Sequence, residues 1–70
     1  MERERVDSSN LFAVGYDDES RMLEVEFHTH TVYRYYNVPK IVVRQLLNAE
    51  SIGEFFNFYV KDAYRWLKVR

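Results

Sequence analysis

Residues 22–38 read MLEVEFHTHTVYRYYNV. The first six alternate: Leu23, Val25 and Phe27 share one face and Glu24 and Glu26 the other, which is the pattern of a half-buried antiparallel strand. The last seven bring three tyrosines within four positions, with Arg34 between two of them. His28-Thr29-His30-Thr31 is the polar connection of a hairpin. Because side chains alternate along a strand, loop length sets which residues share a face, and a slip of one residue moves every side chain to the opposite side. A four-residue loop sets Arg34 against Val25 on the apolar face, burying a guanidinium without a partner. An odd loop (28–30 or 28–32) sets Tyr33 and Tyr35 beside Leu23, Val25 and Phe27, and puts Arg34 across from Glu24 or Glu26. Cross-strand ion pairs and ring–aliphatic pairs each contribute roughly 0.2–1 kcal/mol. The odd register is therefore expected, with Tyr33 and Tyr35 facing the core, Tyr36 on the outer face beside Arg34, and the turn type left open.

Outward from this hairpin, LFAVGY (11–16) reads as a strand, and Asp17-Asp18-Glu19-Ser20 has the residues of a turn. Residues 1–9 read as a polar, flexible lead-in. Pro39 ends the third strand and opens a helix over 40–48, with Ile41 and Gln45 on one stripe and Val42 and Leu46 on the next. Ser51-Ile52-Gly53-Glu54 is a capping box, in which the Ser51 hydroxyl caps the Glu54 amide and the Glu54 carboxylate can return the bond. From it Ile52, Phe55, Phe56, Tyr59, Val60 and Ala63 follow helical spacing. Residues 64–70 fit either a helical extension or a short fourth strand. The expectation is one α+β domain over 1–70: a small antiparallel β-meander of three strands, with room for a fourth, packed against two helices.

Seventy residues make a small core, and there is no cysteine to staple it. Twelve aromatic side chains, five Phe, six Tyr and one Trp, supply the buried area instead. No apolar run approaches the ~20 residues of a membrane span. MERERVDSSN is charged and unlike a signal peptide, so a cytoplasmic location is expected.

Catalysis has little to work with. Ser8, Ser9, Ser20 and Ser51 have no histidine at a suggestive spacing, two glycines cannot make a phosphate loop, and no cofactor or small-molecule substrate is implied. Glu26-x-His28-x-His30 projects to one side of an extended chain but has no third strong ligand nearby, so no metal site is expected. The net charge of −1 is unevenly spread: residues 1–35 carry −4, residues 36–70 carry +3, and the last ten alone carry +3. There Lys61, Arg65, Lys68 and Arg70 interleave with Tyr64 and Trp66. Cations beside rings are what sequence-tolerant RNA binding requires, although the same rings could complete the core. Lys40 and Arg44 would extend the basic patch if the first helix lies beside the tail.

The order Ser8-Ser9-Asn10, Val14-Gly15-Tyr16-Asp17, Leu23-x-Val25-x-Phe27, Tyr33-x-Tyr35, Val38-Pro39, then Leu46-Leu47-x-Ala49-x-Ser51-x-Gly53-x-Phe55-Phe56-Asn57, with Tyr64 and Trp66 near the end, resembles the KTSC domain. That family is named for its occurrence at the C-terminus of some lysyl-tRNA synthetases and also stands alone in bacteria. The resemblance spans Ser8 to Val69. It implies no catalytic residues and, through the synthetase association, RNA binding. Tyr33, Tyr35, Ser51, Gly53 and Asn57 carry the motif and read as structural. The departure is the hairpin loop, where the family usually has glycine and this chain has His30-Thr31. Two partners thus stand as alternatives: RNA on the basic-aromatic tail, or a protein docked on the sheet face or edge.

Overall fold

The computed structural model describes residues 1–70. Five antiparallel strands lie in sequence order: β1 (Glu4–Arg5), β2 (Leu11–Asp17), β3 (Met22–Phe27), β4 (Val32–Tyr35) and β5 (Trp66–Lys68). Two helices, α1 (Lys40–Leu47) and α2 (Ile52–Tyr59), fill the β4–β5 connection and cover one face of the sheet. This is the expected α+β arrangement, with a larger sheet. The tail forms β5, and the expected lead-in supplies β1, where Glu4 pairs with Val14 and Arg5 with Ala13.

The odd register is the one adopted. Leu23 faces Tyr35, Val25 faces Tyr33 and Glu24 faces Arg34. The loop is 28–30: the His30 amide donates to the Phe27 carbonyl and the Phe27 amide to the Thr31 carbonyl, both at 2.9 Å. A three-residue hairpin of this kind ends in a left-handed residue. His30, at φ 71°, takes that conformation where glycine is the usual occupant. A second left-handed residue, Asn37 at φ 58°, turns the chain out of β4 before Pro39 caps α1, so the strand is shorter than the 32–38 expected.

The core between sheet and helices is built on Leu11, Leu23, Val25, Val38, Leu46 and Val60, each fully buried. On α1 the buried residues are Val43 and Leu46, whereas Ile41 is 56% exposed. The expected stripe is thus rotated by about one residue. On α2 Phe56 is buried, meeting Phe27 and Tyr35 edge-on with ring centroids 5.5 Å apart in both pairs. The Ser51 hydroxyl accepts from the Glu54 amide at 3.2 Å, but the return bond is not made. The helix stops at Tyr59, and Ala63 lies in the following turn. No helix is long and apolar enough to cross a membrane.

Two motif elements meet at the start of α2. A Cβ on Gly53 would lie 3.1 Å from the Asn10 amide nitrogen and 3.5 Å from the Ser8 hydroxyl. Ser8 in turn accepts from the Asn10 and Leu11 amides at 3.2 Å. Glycine is needed there because the Ser-Ser-Asn turn lies against the helix. Gly15 has the same role on the outer face, where the Glu2 backbone passes directly over it.

Candidate nucleic-acid interface

On the helix side of the sheet, β3, β4, β5 and the end of α2 enclose an open groove of about 340 Å³. Tyr33, Tyr35 and Phe56 line it, together with Asn57, Lys61 and Trp66. β4 and β5 pair Tyr35 with Trp66 and Tyr33 with Lys68, so the four side chains share one face. Trp66 is 54% exposed and its ring centroid lies 5.2 Å from that of Tyr33. Tyr33 also stacks beside Tyr35 at 6.4 Å and meets Phe27 edge-on at 5.7 Å. The Trp66 ring is therefore backed on one side by a packed aromatic row and open on the other. Burial, the adjoining Tyr33 and nearby Asp62 push the Tyr35 phenol up to about 12.

The groove gathers residues that the sequence kept apart. Tyr33, Tyr35 and Asn57 come from the motif; Lys61 and Trp66 come from the basic tail. Asn57 is exposed and makes no side-chain hydrogen bond, so it does not tie α2 to a neighbouring loop. Arg65 lines a second concavity on the other side of Trp66, with Tyr36, Asn37 and Leu67. Lys61, Arg65 and Lys68 are exposed and form no ion pair. Phe27 and Phe56, which the sequence marked as core and motif residues rather than as a site, complete the groove with Thr31 and Asp62, which it did not single out. Helical spacing toward the end of α2 and strand alternation in β4 are the signals that would have grouped them.

The other expected positions lie elsewhere. Tyr64 is half-buried and lines a cleft between the helices with Val42, Gln45, Phe55 and Tyr59. Arg70 is tied down, its Nε donating to the His30 carbonyl at 3.3 Å and its guanidinium lying 3.4 Å from Glu26. Lys40 reaches back to Asp18 in the β2–β3 turn at 3.0 Å. Arg44 stands exposed in the last turn of α1. Ser51 and Gly53 sit at the far end of α2, in the cap and the Ser8–Asn10 contact. Glu26, His28 and His30 do not gather around a common point. His28 Nε2 is 2.8 Å from the Ser8 carbonyl, and Glu26 is taken by Arg3 and Arg70.

The outer face differs from the open, wet surface expected. Glu24 is only 3% exposed. One of its carboxylate oxygens accepts from Arg3 and the other from Arg34 Nε, the latter at 2.8 Å. Burial alone would push the Glu24 pKa up, but the Arg34 and Arg3 guanidiniums outweigh it and hold the carboxyl below its usual range. The same pairing raises both arginines. The N-terminal segment that brings Arg3 thus closes the middle of this face.

Comparison with known proteins agrees with this geometry. A crystal structure of a KTSC domain protein from Yersinia pestis superposes with a TM-score of 0.95 at 33% identity, covering 99% of this chain and 97% of that one. An uncharacterised protein of Stutzerimonas stutzeri is 44% identical over 70 residues, 99% of each chain. A lysine–tRNA ligase of Nostoc punctiforme is 35% identical over 52 residues, 74% of this chain but 9% of the ligase. The KTSC domain profile matches residues 7–64, and the chain belongs to the KTSC domain family.

Proposed function

We propose that this chain is a non-enzymatic module that binds single-stranded RNA, stacking a base on Trp66 while Lys61, Arg65 and Lys68 meet the phosphates. The observation that carries the reading is the Trp66 ring, 54% exposed and braced against Tyr33 at the rim of a groove flanked by unpaired cations. A half-exposed tryptophan braced by its own core offers a rigid, pre-formed ring face to a ligand. A ring platform edged by Lys and Arg suits an unstacked base and its backbone. Similar segments within lysine–tRNA ligases, proteins that act on tRNA, favour an RNA ligand. Tyr64, Lys40, Arg44 and Arg70 fall outside this reading, because each is packed, paired or remote from the groove.

Trp66 is the chain's single tryptophan, so its fluorescence reports the site directly. Titration with a mixed-sequence single-stranded RNA should quench it. Affinity should fall with salt at a slope set by the phosphates neutralised, about −0.7 each, hence about −2 for three cations. Folded tRNA serves as the second ligand, and stronger quenching by the single strand supports base stacking over backbone attraction alone. No quenching by either RNA at the lowest salt would overturn the proposal.

A further inference from the structure

β5 is the terminal strand of the sheet and its outer edge is open. All three of its residues are exposed, including Leu67 at 54%, with Val69 beyond them at 42%. In an antiparallel pair the residues alternate between bonded and non-bonded positions. The Tyr36 amide bonds the Arg65 carbonyl and the Val69 amide bonds the Val32 carbonyl, so the odd-numbered residues of β5 turn their backbone groups toward β4. Trp66 and Lys68 therefore aim theirs outward; Lys68 is the one charge on that edge, and the ladder becomes irregular only past it, where Val69 and Arg70 both bond Val32.

We propose that the β5 edge pairs with β5 of a second copy of this chain, antiparallel and centred on Leu67. A two-fold axis at Leu67 sets Trp66 opposite Lys68 of the other copy, and Lys68 opposite its Trp66. Both residues of each pair point their amides and carbonyls across the new edge, so each pair closes both of its backbone hydrogen bonds. The side chains match as well. Leu67 meets its own counterpart in a non-bonded pair on the outer face, where side chains approach most closely. On the helix side each Lys68 stands across from an uncharged ring, Trp66 of the other copy. Arg65 falls opposite Val69, so no like charges lie directly across. The β1 edge offers no such match, since its two residues are Glu4 and Arg5. The product is a continuous ten-stranded sheet in which the two Trp66 grooves adjoin across the axis.

The inference is independent of RNA, and its test contains none. Sedimentation of the unmodified chain should show a reversible rise from 8.5 kDa toward twice that mass with concentration. The rise should be stronger at high salt, because salt screens the repulsion between the two basic tails. The chain has no cysteine, so single thiols can be placed at will. In this register two Leu67 Cα atoms stand about 4.5 Å apart, within disulfide reach. Two Val69 Cα atoms stand about 13 Å apart along the strands. Leu67→Cys should oxidise to a covalent dimer at least tenfold faster than Val69→Cys, both sites being exposed in the single chain. A chain that sediments as a monomer at every concentration overturns the proposal and leaves the edge to a different extended strand. A dimer in which the two thiols bridge equally fast, or Val69→Cys faster, also overturns it, because the copies then meet elsewhere.

Discussion

The two faces of the β3–β4–β5 sheet treat polarity in opposite ways. On the outer face a carboxylate, Glu24, is almost wholly withdrawn from water and satisfied by guanidiniums from β4 and the N-terminal segment. On the helix face, two strands away, the largest side chain in the protein, Trp66, stands half in solvent. The charge is inside because its neighbours complete it, and the ring is outside because the helices end before they cover it. α2 stops at Tyr59, and the turn that follows carries the chain away to β5. Burial here follows what each element reaches rather than the polarity of the residue. The completed site belongs to the fold, and the uncompleted one leaves its ring half in solvent.

The largest effect should come from breaking the completed side. Glu24→Ala leaves Arg34 without an acceptor and Arg3 with Glu26 alone. Removing one member of a fully buried pair costs about 3–5 kcal/mol. The arginine side chains keep 25% and 38% of their exposure and can turn to water, so a loss of about 2–3 kcal/mol is expected in urea unfolding. Because the folded Glu24 carboxyl lies below its usual range, it adds stability above the unfolded carboxylate pKa. That stability disappears as pH falls through the folded value, where both states are protonated. Glu24→Gln should therefore flatten the acid limb of the stability profile and leave it otherwise parallel to the parent.

The groove side should fail at the other end of the scale. Tyr35 is 3% exposed and its phenol titrates near 12 rather than 10. Between those values the unfolded chain loses its proton and the folded one keeps it, so rising pH favours unfolding. The linked loss is on the order of 2 kcal/mol, complete once the folded phenol also ionises. Alkaline unfolding followed by circular dichroism should show this decline beginning near pH 10. Tyr35→Phe, which loses no hydrogen bond of the native structure, should reduce it to the part due to Tyr16, whose phenol burial also raises. An unchanged alkaline limb would mean that the phenol is solvated and the aromatic row looser than its 5.5 Å contact with Phe56 implies.

The contrast also marks what could be read from the chain. Register was legible because Glu24, Glu26 and Arg34 left one arrangement free of an unpaired buried charge. The cap at Ser51 was legible from local spacing, whereas the approach of Ser8 and Asn10 to Gly53 joins segments distant in sequence and was not. The burial of Glu24 was not legible, since it depends on Arg3, twenty-one residues away, in a segment whose two apolar residues, Met1 and Val6, make no alternating pattern. Arginines at 3 and 5 and glutamates at 24 and 26 were the available signal, and it misleads in part, because Arg3 alone meets both glutamates while Arg5 lies over the Phe12 ring. The exposure of Trp66 was hidden for a related reason. An aromatic flanked by Leu67 and Tyr64 reads as core, and only the end of α2 shows that Tyr64 is covered while Trp66 is not. The groove itself joins residues from four elements, and no window of sequence contains it.

Trp66→Ala should separate structure from recognition. With about half of its surface already in water and the other half packed on Tyr33, the ring adds less to the fold than a buried tryptophan would, and a loss of about 2 kcal/mol is expected. If the groove stacks a base, the same change weakens RNA binding by about tenfold or more, since base–aromatic stacking contributes about 1–3 kcal/mol. A substitution that lowered stability and left RNA affinity unchanged would place Trp66 with Glu24, as a completed part of the fold.

The smallest effect lies at the hairpin that joins the two faces. His30 holds φ 71° while its carbonyl accepts from Arg70, so a left-handed turn positions the backbone that anchors the C-terminus. His30→Gly relieves the clash of Cβ with the following carbonyl but adds freedom to the unfolded chain, and the two nearly offset. A gain of about 0.5 kcal/mol is expected. His30→Val keeps the Cβ and adds branching that the left-handed region tolerates poorly, so it should cost about 1–2 kcal/mol. Both variants retain the carbonyl that Arg70 uses, so the difference between glycine and valine isolates backbone strain from the ion pairing of the outer face. If both substitutions destabilise equally, the imidazole itself supports the turn, and the family's glycine and this chain's histidine are different solutions rather than better and worse versions of one.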